Sequence, residues 1–166
     1  TLDKTKNLSK GVAIGSLLHT DDNSHLEIVR YSLGSDFWKL LHLPLSNGRN
    51  TVERMANMAQ QVVKYPLSYF KIYWVNSWSK NTTVLLFMQS IDSTLKFKNN
   101  FLGGMSSSVG TGLKPSAYIP ESIALTEKYS KIINGKPTSF VLESVAGIPS
   151  TAHVLGGAVM GKDRSE

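Results

Sequence analysis

The sequence contains no cysteine among its 166 residues. Disulfides, thiolate metal ligands and cysteine nucleophiles are therefore excluded from this chain. Long apolar runs are also missing: the longest, residues 84–88, is far shorter than a membrane span and predicts a buried strand. No Gly-x-Gly-x-x-Gly dinucleotide fingerprint and no Gly-x-Ser-x-Gly nucleophile elbow occurs. The common signatures of nucleotide-cofactor binding and of serine hydrolases are thus absent from the chain.

Positive charge is in modest excess, with a net charge of +6 and an isoelectric point near 9.5. The lysines and arginines are scattered, and neither a run of five like charges nor a basic-aromatic repeat is found. A solvated surface explains this balance, and a nucleic-acid-binding domain is the weakest of the functions considered. A salt-dependent binding assay would test that function.

Hydrophobic periodicity predicts paired strands separated by helices. The strands are predicted at residues 10–19, 24–32, 82–91, 93–97 and 139–144, and the helices at 51–64, from 66 to about 79, and from 120 to before 135. The turn-forming residues 20–23 join the first two strands, and a tight turn near Asp92 would let residues 93–97 pair back on 82–91. The predicted fold class is α+β, an antiparallel sheet with helices packed on one side.

Two segments show little periodicity. Residues 32–50 are punctuated by glycine and proline, and residues 99–120 are rich in glycine and serine. A stretch as long as the second is either mobile or a functional lid, and the sequence leaves both readings open. The chain begins at Thr1 rather than at methionine, so we expect a piece of a larger protein.

Two residues are the main candidates for chemistry. His153 is followed by Gly156, Gly157 and Gly161, which would let the backbone approach a bulky partner, although a structural histidine is the alternative. Glu27 alternates with apolar neighbours in a predicted strand, where it is either a surface residue or a general base in an apolar pocket. On that strand His25, Glu27, Val29 and Tyr31 point the same way.

The other histidines are weaker candidates. His19, His25 and His42 could suggest a metal site, but their irregular spacing without a supporting carboxylate favours structural roles. The aromatic helix that begins at Pro66 contributes Tyr69, Phe70 and Trp74, which either pack in the core or line a ligand cavity. Composition alone does not separate these two readings.

Residues 150–161 resemble a known active-site segment. The string from His153 to Gly161 is similar to the His-x-Leu-Gly-Gly-x-x-Met-Gly pattern of the glucose–methanol–choline (GMC) flavin oxidoreductases, in their cholesterol oxidase branch. Residues 11–14 and 25–31 resemble the strand pair of that branch, and Glu27 aligns with its proton-transferring glutamate. Ala158 and Val159 depart from the Cys-Pro common in that stretch.

The resemblance implies that residues 1–166 are the substrate-binding domain of a larger flavoenzyme whose FAD-binding domain is absent from this chain. The implied reaction is oxidation of a sterol-like secondary alcohol by hydride transfer to FAD. His153 would form a hydrogen bond with the substrate hydroxyl, and Glu27 would move a carbon-bound proton. The backbone at Gly156 and Gly157 would approach the cofactor. We expect the isolated chain to be inactive, to retain no FAD and to self-associate through an exposed apolar surface.

A stand-alone module that binds a lipid or sterol without redox chemistry is the main alternative. It would explain the missing dinucleotide fingerprint without any truncation. The complete reading frame discriminates between the two: an upstream glycine-rich FAD motif favours the enzyme, and a start codon at Thr1 favours the module. The expected partners are a small alcohol or sterol and the missing FAD domain, with no nucleic acid. The sequence does not indicate a compartment.

Overall fold

The computed structural model describes residues 7–101 and 103–150. Its strands are β1 (Ile14–His19), β2 (Ser24–Val29), β3 (His42–Pro44), β4 (Val84–Gln89), β5 (Ser93–Asn99), β6 (Met105–Gly112) and β7 (Thr138–Phe140). Its α-helices are α1 (Thr51–Lys64), α2 (Pro66–Trp74), α3 (Trp78–Asn81) and α4 (Pro120–Ile132). The helices and the antiparallel strand pairs together confirm the predicted α+β class.

The largest sheet has the order β1-β2-β4, with both strand pairs antiparallel. The predicted turn between β1 and β2 is confirmed: the Thr20 N–H donates to the Ser24 carbonyl over 3.0 Å, and the Asn23 N–H donates to Asp21 Oδ1 over 2.7 Å. β4 is a strand as predicted, but its apolar residues are half-buried rather than buried. Among residues 7–101 and 103–150, β4 pairs with β2 alone and occupies an edge of this sheet.

The pairing predicted for residues 93–97 is wrong. β5 pairs with β6, in a two-stranded sheet of their own, instead of returning onto β4. β6 lies inside the segment predicted to be irregular, because its serines and glycines show no alternation of apolar residues. Gly112 closes the ladder with a φ of +91°, and a Cβ at this position would lie 1.9 Å from the Asp92 carbonyl oxygen. Only glycine fits this approach.

Helix α1 begins and ends as predicted. Asn50 caps it, with Oδ1 accepting from the Glu53 N–H over 2.8 Å, and Glu53 Oε2 in turn accepts from the Arg49 N–H over 2.9 Å. Helix α4 also matches its prediction, since it starts at Pro120 and ends before Gly135.

The strands β1, β2 and β4 are shorter than predicted, and two other elements differ more. The helix that begins at Pro66 ends at Trp74 rather than near residue 79, and Ser77, with a left-handed φ of 59°, precedes the short α3. The predicted strand 139–144 is reduced to β7, which is followed by a single π-helical turn, Leu142–Ala146. The hydrogen bond from the Ser144 hydroxyl to the Phe140 carbonyl belongs to that turn.

Helix α1 and the π-helical turn pack against the small β3–β7 sheet. Helix α1 packs against β3, α2 and the π-helical turn, and a 3₁₀ helix, Ser35–Leu41, packs against α2 and α3. Leu26, Tyr69 and Trp78 are the buried apolar side chains of the described residues. No helix in the described part of the chain has both the length and the apolar character needed to cross a membrane.

Candidate functional site

Glu27 lies at the centre of the β1-β2-β4 sheet. Its position on β2 is directly opposite Leu17 of β1 and Leu86 of β4, so the three side chains share one face of the sheet. Only 7% of Glu27 is exposed. A carboxylate is thus held in an apolar row across three strands, which is an unfavourable place for a charge unless something compensates it.

The two carboxylate oxygens of Glu27 have different surroundings. Oε1 is 3.8 Å from His25 Nε2, an ion-pair contact when that imidazole is protonated. Oε2 is buried and has no hydrogen-bond partner among the described residues. Most buried side-chain oxygens in proteins do have a partner, and leaving one without a partner costs about 1–3 kcal/mol. Within the described residues, the burial of this oxygen is therefore not compensated by a hydrogen bond.

A row of imidazoles leads away from Glu27. His25 pairs with His19 across β1 and β2, and their ring centroids are 6.0 Å apart. His25 is half-buried and His19 is exposed, so the row runs from the buried carboxylate towards solvent. The irregular spacing of the histidines in the sequence favours structural roles for both. The i, i+2 spacing of His25 and Glu27 is the feature of the sequence that indicates their contact, because it places both side chains on one face of a strand.

Tyr31 continues from β2 into an aromatic cluster. Its ring stacks on Trp38 at 5.5 Å and lies 6.2 Å from the buried Trp78. His42 belongs to the same cluster, 5.4 Å from Trp78 and 6.2 Å from Phe140. Burial lowers the pKa of His42 below its ordinary value, which favours a neutral ring. Its place among aromatic rings is that of a core histidine.

The three aromatic residues predicted to line a cavity lie in two different environments. Tyr69 is buried, and its hydroxyl donates to Gln61 Oε1 over 2.6 Å. Burial and, to a lesser extent, Tyr65 raise the pKa of that phenol. Phe70 and Trp74 are exposed and stack on each other, with ring centroids 4.2 Å apart. The pair therefore presents a flat apolar surface outside the interior that holds Tyr69.

His153, Gly156 and Gly157 lie outside the described residues, so their approach to Glu27 and to a cofactor stays a prediction. Within residues 7–101 and 103–150, no group of three or more histidine, aspartate or glutamate side chains has the arrangement of a metal site. His19, His25 and His42 are instead accounted for by the imidazole row and the aromatic cluster.

Comparison with known proteins gives one consistent set of relatives. The chain is 31% identical, over 160 residues, to a cholesterol oxidase of Acinetobacter baumannii, covering 95% of this chain and 29% of that protein. Cholesterol oxidases of two Mycobacterium tuberculosis strains, CDC 1551 and H37Rv, are each 32% identical over 164 residues, covering 94% of this chain and 28% of theirs. No protein-family model and no solved structure matches the chain.

The chain therefore spans less than a third of the length of the curated relatives it matches. The similarity nevertheless extends over nearly the whole of this chain rather than over one short motif. The chain is thus related to the cholesterol oxidases, and the resemblance to that branch of the GMC oxidoreductases is confirmed.

Proposed function

We propose that residues 1–166 are the substrate-binding domain of a larger FAD-dependent oxidoreductase, which oxidises a sterol-like secondary alcohol by hydride transfer to flavin. The relatives carry the name cholesterol oxidase, and this chain matches a limited part of each of them. That coverage agrees with one domain of a longer polypeptide. The substrate assignment extends the relatives' name to this protein and is therefore part of the proposal.

The observation that carries the proposal is the buried Glu27 carboxylate with its unpartnered Oε2. In a sterol whose double bond can move along the ring, a base takes a proton from one carbon and returns it to another. Breaking the C–H bond would form an O–H bond at Glu27, the double bond would shift, and the same proton would be returned. The leucines at positions 17 and 86 flank the carboxylate and would favour an apolar substrate over water.

His25 has a supporting role in this proposal. It contacts Oε1, and the buried Oε2 would be the oxygen that takes up the substrate proton. His153 would bond the substrate hydroxyl, as the resemblance implies, and would accept or relay the hydroxyl proton. The exposed Phe70–Trp74 pair supplies apolar surface for a flat ring system, whereas Tyr69 would support that surface from the interior.

FAD, when bound, accepts the hydride and supplies the redox chemistry. The described residues offer a carboxylate among apolar side chains at the Glu27 site and no glycine-rich phosphate cradle. The described residues by themselves therefore do not fit the cofactor, and we propose that the remainder of the protein binds FAD. Gly156 and Gly157 would let this chain's backbone approach the flavin.

The test uses the full-length protein and a sterol that carries both a secondary hydroxyl and a movable double bond. Flavin bleaching without oxygen measures oxidation, and the ultraviolet absorbance of the conjugated ketone measures isomerisation. We expect Glu27→Gln to lower isomerisation by about 10²–10⁴-fold and to reduce oxidation much less. We expect His153→Ala to lower oxidation by a similar factor.

Glu127→Gln is the matched control, because Glu127 is an exposed glutamate on α4. It should leave both rates unchanged. Isomerisation at the wild-type rate in Glu27→Gln would remove Glu27 from the mechanism. A full-length protein that binds sterol without flavin reduction would instead support the lipid-binding module.

A further inference from the structure

A cavity lies away from Glu27, at the start of α1. Its volume is about 270 Å³, and its walls include Arg49, Arg54, Lys114, Ser116 and Tyr118. The loop that carries residues 114–118 thus meets the first turn of α1 and the glycine that follows the π-helical turn. We call this cavity the cationic cleft, because three of its lining side chains are basic.

Arg54 is the central residue of the cationic cleft. It is only 8% exposed, and its guanidinium is held by three acceptors: the Ser144 carbonyl at 3.0 Å, the Gly48 carbonyl at 3.3 Å and Thr51 Oγ1 at 3.2 Å. All three acceptors are neutral oxygens, so they fix the orientation of the guanidinium without cancelling its charge. A buried charge is costly unless an opposite charge accompanies it.

Two glycines lie against the Arg54 side chain, one at its stem and one at its guanidinium. A Cβ at Gly48 would lie 2.9 Å from Arg54 Cγ, and one at Gly147 would lie 3.6 Å from Nη2. The arginine side chain is therefore placed by the backbone on two sides as well as by its acceptors. Arginine carries five N–H groups, and one on each terminal nitrogen is left after these three bonds. The cleft thus contains an oriented donor fork with N–H groups to spare.

The other two charged side chains that line the cleft are also positive. Arg49 and Lys114 are exposed and line it from opposite stretches of the chain. Glu53 is next to Arg54 in α1, but its Oε2 is engaged by the Arg49 backbone N–H, and Glu53 does not line the cleft. Among the residues that the structure describes, the one ion pair is that of His25 with Glu27, so no carboxylate there pairs with the three basic side chains.

We infer that the cationic cleft binds a small dissolved oxyanion, a phosphate or carboxylate group, between the fixed guanidinium of Arg54 and the side chains of Arg49 and Lys114. A guanidinium fork matches the oxygens of both groups, and charge-assisted hydrogen bonds are the strong ones. The positive end of α1 adds to the same field. This inference does not depend on the proposed oxidoreductase function, since the cleft and the Glu27 sheet share no lining residue.

The experiment is calorimetric titration of the full-length protein with inorganic phosphate and, in a second arm, with succinate, both in chloride buffer of equal ionic strength. The two arms separate a phosphoryl ligand from a carboxylate ligand. We expect saturable binding of at least one anion to the wild-type protein. The double variant Arg49→Ala/Lys114→Ala should bind that anion more weakly by about tenfold for each side chain removed.

Lys96→Ala/Lys98→Ala is the matched control, because it removes two exposed basic residues from β5 and leaves the cleft intact. It should bind the anion with wild-type affinity, which separates a specific site from general attraction to a positive protein. Anion binding at the flavin site would persist in every variant, so the difference between the two double variants is the readout. No saturable binding, or equal affinities in both double variants, would overturn the inference.

Arg54→Lys adds a second test of the geometry. It keeps the charge but lacks the fork that contacts Ser144 and Thr51. We expect anion affinity to fall by about tenfold or more, with an unchanged circular dichroism spectrum. Wild-type affinity in a folded Arg54→Lys protein would contradict the role of the guanidinium. If this variant does not fold, the double variant at the exposed positions still decides the matter.

Discussion

Replacing Glu27 by leucine should stabilise the protein while removing its proposed base. The carboxylate is flanked by Leu17 and Leu86, and its Oε2 is buried without a partner among the described residues. Leucine is similar in length, carries no polar atom and joins an existing row of leucines. Under the proposed function, Glu27 is retained for chemistry at the expense of stability.

The magnitude follows from two opposing contributions. Removing a buried oxygen that lacks a hydrogen bond recovers about 1–3 kcal/mol. Losing the contact with the half-buried His25 costs at most about 1 kcal/mol, because solvent screens it. The difference lies between about 0 and 3 kcal/mol, and the middle of that range is a gain of about 1–2 kcal/mol. For a domain of about 150–250 residues, that corresponds to a rise in Tm of about 2–8 °C.

Two measurements on the full-length protein test this prediction. Thermal unfolding gives the Tm, and hydrogen exchange of peptides that cover β2 reports on stability at the site of the substitution. We expect Glu27→Leu to raise the transition assigned to this domain and to slow exchange in β2. Glu127→Gln, which alters an exposed glutamate, should change neither. A lower Tm in Glu27→Leu would refute the reasoning, because it would mean that the carboxylate makes a favourable interaction that is lost.

Four further predictions address the cap, a buried histidine, the cofactor and the surface. Asn50→Ala should reduce the free energy of unfolding by about 1 kcal/mol in urea, whereas Asn50→Asp, which keeps the cap acceptor, should not. Because burial lowers the pKa of His42, the unfolded chain takes up a proton at this residue at a higher pH than the folded chain does. The free energy of unfolding should therefore fall as the pH drops below about 6.5, and His42→Gln should weaken this pH dependence. The isolated chain, mixed with FAD and desalted, should retain no flavin, and stoichiometric retention would contradict the domain assignment. Light scattering of the isolated chain should show species larger than a monomer, because large apolar side chains such as Phe70, Trp74 and Phe101 are exposed.

The features that the sequence predicted well depend on neighbours close in the chain. The Asn50 cap and the α1 helix follow from a capping residue and a helical period, both of which are local. The position of Glu27 on one face with His25 follows from the alternation of a strand. The alternation does not predict that two leucines lie opposite Glu27, because strand register depends on residues far apart in sequence.

The features that the sequence missed depend on weak local signals or distant contacts. β6 consists of serine, glycine and few apolar residues, so neither its strand nor its pairing with β5 has a periodic signature. The break before α3 occurs at Ser77, which has a left-handed backbone conformation. Serine rarely adopts this conformation, so the sequence does not indicate the break. The cationic cleft joins Arg54 to the Ser144 carbonyl, 90 residues away, and no motif links these positions.

The separation of the β5–β6 ladder from the main sheet has a consequence for cooperativity. Since its strands pair only with each other in the described sheets, its backbone hydrogen bonds can open without breaking those of β1, β2 and β4. Amide protection there should therefore reflect a local opening free energy that lies below that of global unfolding. The two sheets would then behave as separate units of hydrogen exchange, even though only Ser90, Ile91 and Asp92 join β4 to β5 along the chain.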